Sequence, residues 1–160
     1  MLLGIDLGTT GVKAMVFDED GNPAGYGFQE YDIMYSRAGY AQQNAEGLWL
    51  LTKKAIREAA EKTGEYIKGI SISVQGDAVI PINSNREALA YAQLGMDYRG
   101  TKETEYCNTA LGGEYLFRRT GMRPHPMNSM IKIIWVKNNL PQLYEQTFKF
   151  VTYADFILGK

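Results

Sequence analysis

Short apolar runs alternate with turn-forming residues over the first thirty positions. Leu2–Leu7 and residues 12–17 are rich in apolar and β-branched side chains, which favour extended strands. A Gly-Thr-Thr-Gly turn separates these two runs, and an acidic turn ending in Asn22-Pro23 precedes a third strand predicted at 24–31. Three consecutive strands joined by tight turns predict an antiparallel meander.

Helical periodicity begins at residue 45, after a predicted loop over residues 35–44. A helix over residues 45–62 that ends before Gly64 is predicted from apolar side chains at helical spacing, namely Leu48, Leu51, Ala55, Ile56 and Ala59. Residues 67–75 then alternate as a strand does, and a further apolar run follows at 78–82.

The second half of the chain has a mainly helical pattern. Helices are predicted at 104–111, 114–119, 128–139 and 154–158, with a short β-prone segment at 148–151. The order of strands, helix, strand and further helices predicts an α/β domain.

Composition and charge are those of an ordinary globular domain. The 160 residues are 45% hydrophobic and 22% charged, and they suffice for one domain or part of a larger protein. The 17 basic and 18 acidic residues form no basic block, so we expect no nucleic-acid partner. No apolar stretch is long enough to span a membrane, and the single cysteine, Cys107, predicts a cytoplasmic location.

The first predicted hairpin combines an acid, a threonine turn and a lysine. Asp6 ends the first strand and Lys13 lies on the second, with Gly8, Thr9 and Thr10 in the turn between them. Backbone N–H groups and hydroxyls in such a turn can bind phosphate oxygens, the lysine can neutralise charge on a transferring phosphoryl group, and the acid can hold Mg²⁺ through water. The same pattern also suits a plain β-hairpin, and the spacing is that of neither a Walker A loop nor a dinucleotide-binding fingerprint.

Two further polar groups could contact a small ligand. Gln75, Gly76 and Asp77 form a turn after the fourth strand, where Asp77 could accept hydrogen bonds from a sugar diol or could be a solvated turn acid. Asp97 could line the same pocket. It could also form only a local ion pair with Arg99, which contributes little at a surface.

Structural roles explain the remaining chemically suggestive residues better. His125 lies between two prolines, which is typical of a rigid loop. The histidine and the cysteine do not cluster, so we expect no zinc site made of protein side chains. The aromatic residues between 26 and 40 have only Arg37 as a basic neighbour, so sheet and loop packing explains them better than nucleic-acid binding.

Several segments, in order along the chain, resemble the FGGY carbohydrate kinases, which belong to the actin, Hsp70 and sugar-kinase superfamily. GIDLGTTGVKAMVFDEDGN at 4–22 resembles the first phosphate motif, and GYAQQN at 39–44 with Trp49 is similar to the segment G-W-x-E-Q-D-P-x-x-x-W. ISISVQGDAVIPI at 70–82 resembles the strand and turn with sugar contacts, and MDYR at 96–99 resembles W-x-D-x-R. The helical region matches at Thr120, Gly121, Pro126, Lys132, Trp135 and residues 155–158.

This sequence departs from the family pattern at five positions. Gln42 and Asn44 stand where the family usually has Glu and Asp, and Gly95 and Met96 fall where a tryptophan is common. Met127 stands where glycerol kinases have a substrate-contacting tyrosine. These differences make glycerol a poor candidate and leave the sugar open.

The resemblance implies an α/β, RNase H-like fold with a mainly helical insertion. Residues 1–160 would be the N-terminal part of a sugar-binding domain, truncated, with the second, ATP-binding domain absent. The implied activity is Mg²⁺-assisted transfer of the ATP γ-phosphate to a hydroxyl of a sugar or polyol, with a ketopentose such as xylulose favoured. The matching residues are Asp6 for the metal, Gly8, Thr9, Thr10 and Lys13 for phosphate, and Gln75, Gly76, Asp77 and Asp97 for the sugar.

The catalytic base of the family belongs to a later motif, expected after Lys160, so we expect these residues alone to be inactive. Two alternatives stay open: a non-catalytic sugar-sensing module, and an actin- or Hsp70-like ATPase fragment. The fifth strand of an RNase H-like sheet would also come later. We therefore expect an uncovered edge on the strand at 67–75, and association of the chain as a homodimer.

Overall fold

The computed structural model describes residues 1–160. In chain order the elements are β1 Leu2–Leu7, β2 Gly11–Phe17, β3 Pro23–Glu30, β4 Gln42–Gln43, α1 Ala45–Glu61, β5 Gly69–Val74, β6 Ile80–Ile82, β7 Ala92–Gln93, α2 Thr101–Ala110, α3 Gly113–Thr120, α4 Ser129–Asn139, α5 Pro141–Gln146, β8 Lys149–Val151 and α6 Tyr153–Leu158.

The main sheet has four strands in the order β3-β2-β1-β5. The first three strands pair antiparallel, which confirms the predicted meander, and β5 pairs parallel with β1. A parallel pair needs a long crossover, which α1 supplies between β3 and β5. The predicted α/β class is therefore confirmed.

One face of the sheet forms the core against α1. Leu3, Ile5 and Leu7 of β1 are buried, and so are Val12, Ala14 and Val16 of β2, because alternate side chains of a strand point to the same face. The buried residues of α1 are Ala45, Leu48, Thr52, Ala55 and Ala59, and most of them are small. The helix can therefore lie close to the sheet.

Two glycines of β3 make this close approach possible. A Cβ atom on Gly25 would lie 2.0 Å from the carbonyl oxygen of Ala59, and one on Gly27 would lie 2.0 Å from that of Ala55. Any side chain at either position would push the helix off the sheet.

The opposite face of the sheet is open. Asp6 and Lys13 are exposed there and are directly paired in the antiparallel register of β1 and β2, while Ser71 and Ser73 of β5 are exposed beside them. β5 has β1 as its only strand neighbour, so the other edge of β5 is unpaired, as expected from the sequence. Ile70 on this strand is 62% exposed.

The smaller sheets and the helical region differ from the sequence prediction in detail. β4 pairs with β7 and β6 pairs with β8, all antiparallel. The two-residue strands β4 and β7 were not predicted, since their pairing depends on residues about fifty positions apart. The helix predicted at 128–139 ends at Asn139 as predicted, but α5 was not predicted; it starts at Pro141, a residue well suited to the first turn of a helix. None of the helices has the length and apolarity needed to cross a membrane.

Candidate functional site

The turn between β1 and β2, residues 8–11, has all four of its backbone carbonyls hydrogen-bonded from within the protein. We call it the threonine turn. Gly11 accepts from the N–H of Gly8 (3.0 Å), and Thr10 accepts from the N–H of Tyr31 (3.1 Å). Gly8 accepts from the Tyr31 hydroxyl (2.7 Å), and Thr9 accepts from the side-chain amide of Gln43 (2.7 Å). The turn is thus braced on its carbonyl side.

The donors of the threonine turn are free in contrast. The N–H groups and hydroxyls of Thr9 and Thr10 donate to no protein group. A trans peptide unit is planar, so its N–H points opposite to its C=O. Holding the Gly8 and Thr9 carbonyls inward therefore directs the N–H groups of Thr9 and Thr10 the other way, where two N–H groups and two hydroxyls can bind an anion.

Tyr31 stays a neutral hydrogen-bond donor in this arrangement. Burial raises the pKa of its hydroxyl, and the nearby carboxylate of Asp6 raises it further. The proton of the Tyr31 hydroxyl is therefore retained for the bond to Gly8 across the physiological range.

Asp6 and Lys13 line one shallow hollow of about 330 Å³ on the open face of the sheet, next to the threonine turn. Ser71 and Ser73 form its opposite wall. Nowhere do three or more His, Cys, Asp or Glu side chains converge. A single exposed carboxylate fits a largely hydrated Mg²⁺ ion better than a cation that needs many protein ligands.

The turn of Gln75, Gly76 and Asp77 is a tight one that follows β5. The Ala78 N–H donates to the Gly76 carbonyl at 2.6 Å, and the Asp77 carboxylate is half-buried with no hydrogen-bond partner. Asp77 faces a cavity of about 220 Å³ lined by Leu116, Thr120, Met122, Pro124, Asn128, Ser129 and Met130. A free carboxylate beside a small cavity can accept hydrogen bonds from ligand hydroxyls.

Lys132, fully buried on α4, joins this turn to the loop before α4. Its ammonium group donates to the backbone carbonyl of Asp77 (2.9 Å) and to that of Met127. Burial lowers the pKa of Lys132 to about 8, Asp77 and Asp97 oppose the shift, and Arg99 adds to it. The sequence marks this lysine only as a match to the family pattern, and its role in holding two loops together was not predicted.

Asp97 does not face a cavity with a free oxygen. Its side chain is fully buried, and its oxygens accept from the Ala41 N–H (2.8 Å), from the Arg99 N–H (3.1 Å) and from two nitrogens of the Arg99 guanidinium (2.8 and 2.6 Å). The local ion pair with Arg99 is present, and it is buried rather than at a surface. Asp97 therefore supports the local structure through Arg99 and Ala41, and its contact with the sugar stays a prediction.

Arg99 organises the segment that departs from the family pattern. Its guanidinium group donates to Gln42 (2.6 Å) and lies over the ring of Tyr40, 3.8 Å from the ring centroid, with Trp135 at 5.0 Å. Such stacking is favourable for a planar cation. Asn44 accepts from the Gly47 N–H at 3.1 Å and caps α1, a role that Asn and Asp fill equally well.

Two hydrogen bonds and an aromatic contact hold the loop that contains His125, whose flanking prolines predict a rigid conformation. The Nδ1 atom of His125 accepts from the Met127 N–H (3.2 Å), and the His125 N–H donates to Asn128 (2.7 Å). The ring packs edge-on against Tyr98, with the ring centroids 5.5 Å apart. The imidazole thus serves the loop conformation.

Gln43 is a second residue of the site whose role was not predicted from the sequence. It lies in β4, is 2% exposed, and hydrogen-bonds both Thr9 and Gln75. In the sequence, Gln43 stands out only as part of the GYAQQN match, because Thr9 and Gln75 belong to distant segments. The threonine turn and the turn of Gln75 are thus both hydrogen-bonded to the side chain of Gln43.

Comparison with known proteins gives a consistent result. The profile of the N-terminal domain of the FGGY family of carbohydrate kinases matches residues 1–160. A xylulose kinase from Bacillus subtilis is 29% identical over 98% of this chain and 32% of its own length, and a glycerol kinase from Desulforamulus reducens is 31% identical over 92% of this chain and 30% of its own length.

A solved structure shares the fold. The crystal structure of gluconate kinase from Lactobacillus acidophilus superposes with a TM-score of 0.92 at 24% identity, over 98% of this chain and 32% of that one. The chain therefore spans about a third of the length of the relatives that it matches.

Proposed function

Because the chain belongs to the FGGY family of carbohydrate kinases, we propose that the whole protein transfers the γ-phosphate of ATP to a hydroxyl of a sugar or polyol. The observation that carries this proposal is the threonine turn, whose carbonyls are all hydrogen-bonded inward while the N–H groups and hydroxyls of Thr9 and Thr10 stay free. A plain hairpin turn has no need of such bracing. An anion-binding turn does, because its donors must be held in place before the ligand arrives.

The residues of the open face have complementary roles in this proposal. Thr9 and Thr10 bind phosphate oxygens. Gly8, whose N–H closes the turn onto Gly11, lets the phosphate approach the backbone closely, and Lys13 neutralises charge that builds up on the transferring group. Asp6 holds hydrated Mg²⁺, which shields the phosphate charge when bound. The acceptor oxygen forms a bond to phosphorus as the bond to ADP breaks, and its proton passes to a base that we assign to none of these 160 residues.

Asp77 selects the acceptor. Its unpartnered carboxylate suits the vicinal hydroxyls of a neutral sugar, and its negative charge disfavours an acidic sugar such as gluconate. Met127 cannot donate the hydrogen bond that a tyrosine gives in glycerol kinases, so glycerol is disfavoured too. We propose a ketopentose such as xylulose as the acceptor, with Gln75 and Gly76 shaping the turn.

The test uses the full-length protein with ATP and Mg²⁺ and measures ADP release against ketopentoses, aldopentoses, hexoses, polyols and aldonates. We expect saturable turnover with a ketopentose that Asp77→Ala reduces by about 100-fold, the loss typical of a strong charged hydrogen bond. The exposed turn acid Asp20 supplies a matched control, and Asp20→Ala should leave turnover unchanged.

Other results would contradict the proposal in distinct ways. ATP hydrolysis that needs no sugar would favour the actin- or Hsp70-like ATPase. Thermal stabilisation by one sugar without turnover would favour a non-catalytic sensor. Turnover that Asp77→Ala leaves intact would remove Asp77 from the sugar site.

We also propose that residues 1–160 by themselves associate as a homodimer, and that the whole protein acts in the cytoplasm. The unpaired edge of β5 can extend the sheet with a second copy. The only cysteine, Cys107, is a buried free thiol, which suits a reducing compartment.

A further inference from the structure

We propose that Gln43 is a positioning residue that links the threonine turn to the turn of Gln75–Asp77, so that one amide fixes both the turn assigned to phosphate and the turn assigned to the sugar. This inference deepens the proposed kinase function and rests on it for its catalytic consequence. The link itself is a property of the folded chain alone.

Three hydrogen bonds hold the side chain of Gln43. Its Nε2 donates to the carbonyl of Thr9 at 2.7 Å. Its Oε1 accepts from the Nε2 of Gln75 at 2.8 Å and from the hydroxyl of Tyr153 at 3.2 Å. Gln43 is 2% exposed and Tyr153 is fully buried, so water cannot easily replace any of these bonds.

The chemistry of the partners allows only one orientation of this amide. The Thr9 carbonyl can only accept, so the Nε2 of Gln43 must face it. The Oε1 of Gln43 then faces Gln75, and the amide of Gln75 must turn its own NH₂ toward it. The carbonyl of the threonine turn thus sets the orientation of the glutamine that adjoins Gly76 and Asp77.

The consequence for anion binding follows from peptide geometry. The Thr9 carbonyl and the Thr10 N–H belong to the same planar trans peptide unit and point in opposite directions. Gln43 pulls the carbonyl inward and so directs the Thr10 N–H outward. If Gln75 shifts when a sugar binds at Asp77, its hydrogen bond to Gln43 changes. Gln43 then changes the direction of the Thr10 N–H, which we assign to phosphate binding.

Family membership does not supply this role. The sequence resemblance marked Gln43 as one letter of a motif and assigned it no function. Tyr153 lies in α6, 110 residues further along the chain, and only the tertiary structure brings its hydroxyl to Gln43.

The test is a double-substitution cycle in the full-length protein. Gln43→Met keeps the volume of the side chain and removes all three bonds, and Gln75→Met removes only the sugar-side bond. We expect Gln43→Met to raise the KM for ATP about tenfold, which corresponds to about 1.4 kcal/mol. Gln75→Met should raise the KM for ATP by a smaller factor in the native background, and by no further factor when Gln43→Met is already present.

A second readout needs no activity. Amide hydrogen exchange of residues 8–13 without ligands should be faster in Gln43→Met and in Gln75→Met, and no faster in the double variant than in Gln43→Met. Gln142 on α5 is exposed and its side chain makes no hydrogen bond within the protein, so Gln142→Met is the matched control and should change neither readout.

The outcomes separate the link from the kinase activity. The inference would be overturned if the factors by which the two substitutions raise the KM for ATP multiplied in the double variant. It would also be overturned if the amides of residues 8–13 exchanged at the native rate in Gln43→Met. If no sugar supports turnover but the exchange of residues 8–13 follows the expected pattern, the proposed function fails and the link stands. If Gln43→Met does not fold, Tyr153→Phe removes one of the three bonds and should speed exchange of the same segment by about twofold.

Discussion

The buried ammonium group of Lys132 makes the stability of the fold depend on pH in a direction that can be calculated. Burial lowers its pKa from 10.5 to about 8, with Asp77 and Asp97 opposing the shift and Arg99 adding to it. Below about pH 8 the lysine is charged in both the folded and the unfolded chain. Between about pH 8 and 10.5 the unfolded chain binds more protons, so the free energy of unfolding rises with pH.

The size of this rise follows from the shift. A pKa difference between 10.5 and about 8 corresponds to about 3 kcal/mol at 1.36 kcal/mol for each pKa unit, of which about 2 kcal/mol falls between pH 8 and 9.5 or so. The assay is urea unfolding of the native protein and of Lys132→Met at several pH values in this range. The quantity compared is the free energy of unfolding of the native protein minus that of Lys132→Met.

This difference in the free energy of unfolding also cancels the contributions of other titrating groups, which are the same in both proteins. Burial raises the pKa of both Tyr31 and Tyr153, which lowers stability above about pH 10 equally in the two proteins. Lys132→Met leaves the carbonyls of Asp77 and Met127 without their donor, at a cost of about 1–3 kcal/mol that does not vary with pH. If the free energy of unfolding of the native protein minus that of Lys132→Met stays flat or falls between pH 8 and 10, the lowered pKa of Lys132 is refuted.

Three further predictions address packing, the buried ion pair and the sheet edge. Gly27→Ala places a Cβ 2.0 Å from the Ala55 carbonyl oxygen and should lower the free energy of unfolding by about 1–3 kcal/mol in urea, whereas Gly95→Ala, with open space around it, should change it little. Arg99→Lys keeps the charge but loses the two-nitrogen contact with Asp97, and it should lower the free energy of unfolding by at least about 1 kcal/mol. A decrease under about 0.5 kcal/mol would mean that the Arg99–Asp97 pair contributes no more than a surface ion pair does. Light scattering of residues 1–160 after size-exclusion chromatography should find a dimer that Ile70→Lys on the open edge of β5 converts to monomer, and a monomer of the unsubstituted residues 1–160 would contradict the edge pairing.

Local pattern was enough to predict the elements whose signal lies within a few neighbouring residues. The strand Leu2–Leu7 was predicted with its observed bounds, and α1 was predicted within one residue at its end. Alternation and helical periodicity give these elements directly, since one face of each is buried. The turn residues between β1 and β2 and after β5 were likewise recognised as places where a ligand could bind.

Tertiary structure decided the surroundings of each candidate residue. Asp97 and Asp77 are both acids in turns, and the sequence treats them alike, yet one is enclosed by Arg99 and Ala41 and the other keeps a free carboxylate. The difference arises because burial and hydrogen-bond partners come from segments distant in sequence. Arg99 also contacts Tyr40 and Trp135, which no local pattern relates to it.

The amino-acid sequence by itself determined the α/β class, the main strands and helices, the family, and the two turns where chemistry is proposed, because each depends on local spacing or short motifs. The tertiary structure alone decided that the carbonyls of the threonine turn are held inward, that Lys132 joins two loops, and that Gln43 stands between the two turns. The physical reason is that a hydrogen bond between a side chain and a distant backbone carbonyl leaves no periodic mark in the chain, and exists only once the sheet and helices have brought its donor and acceptor within reach.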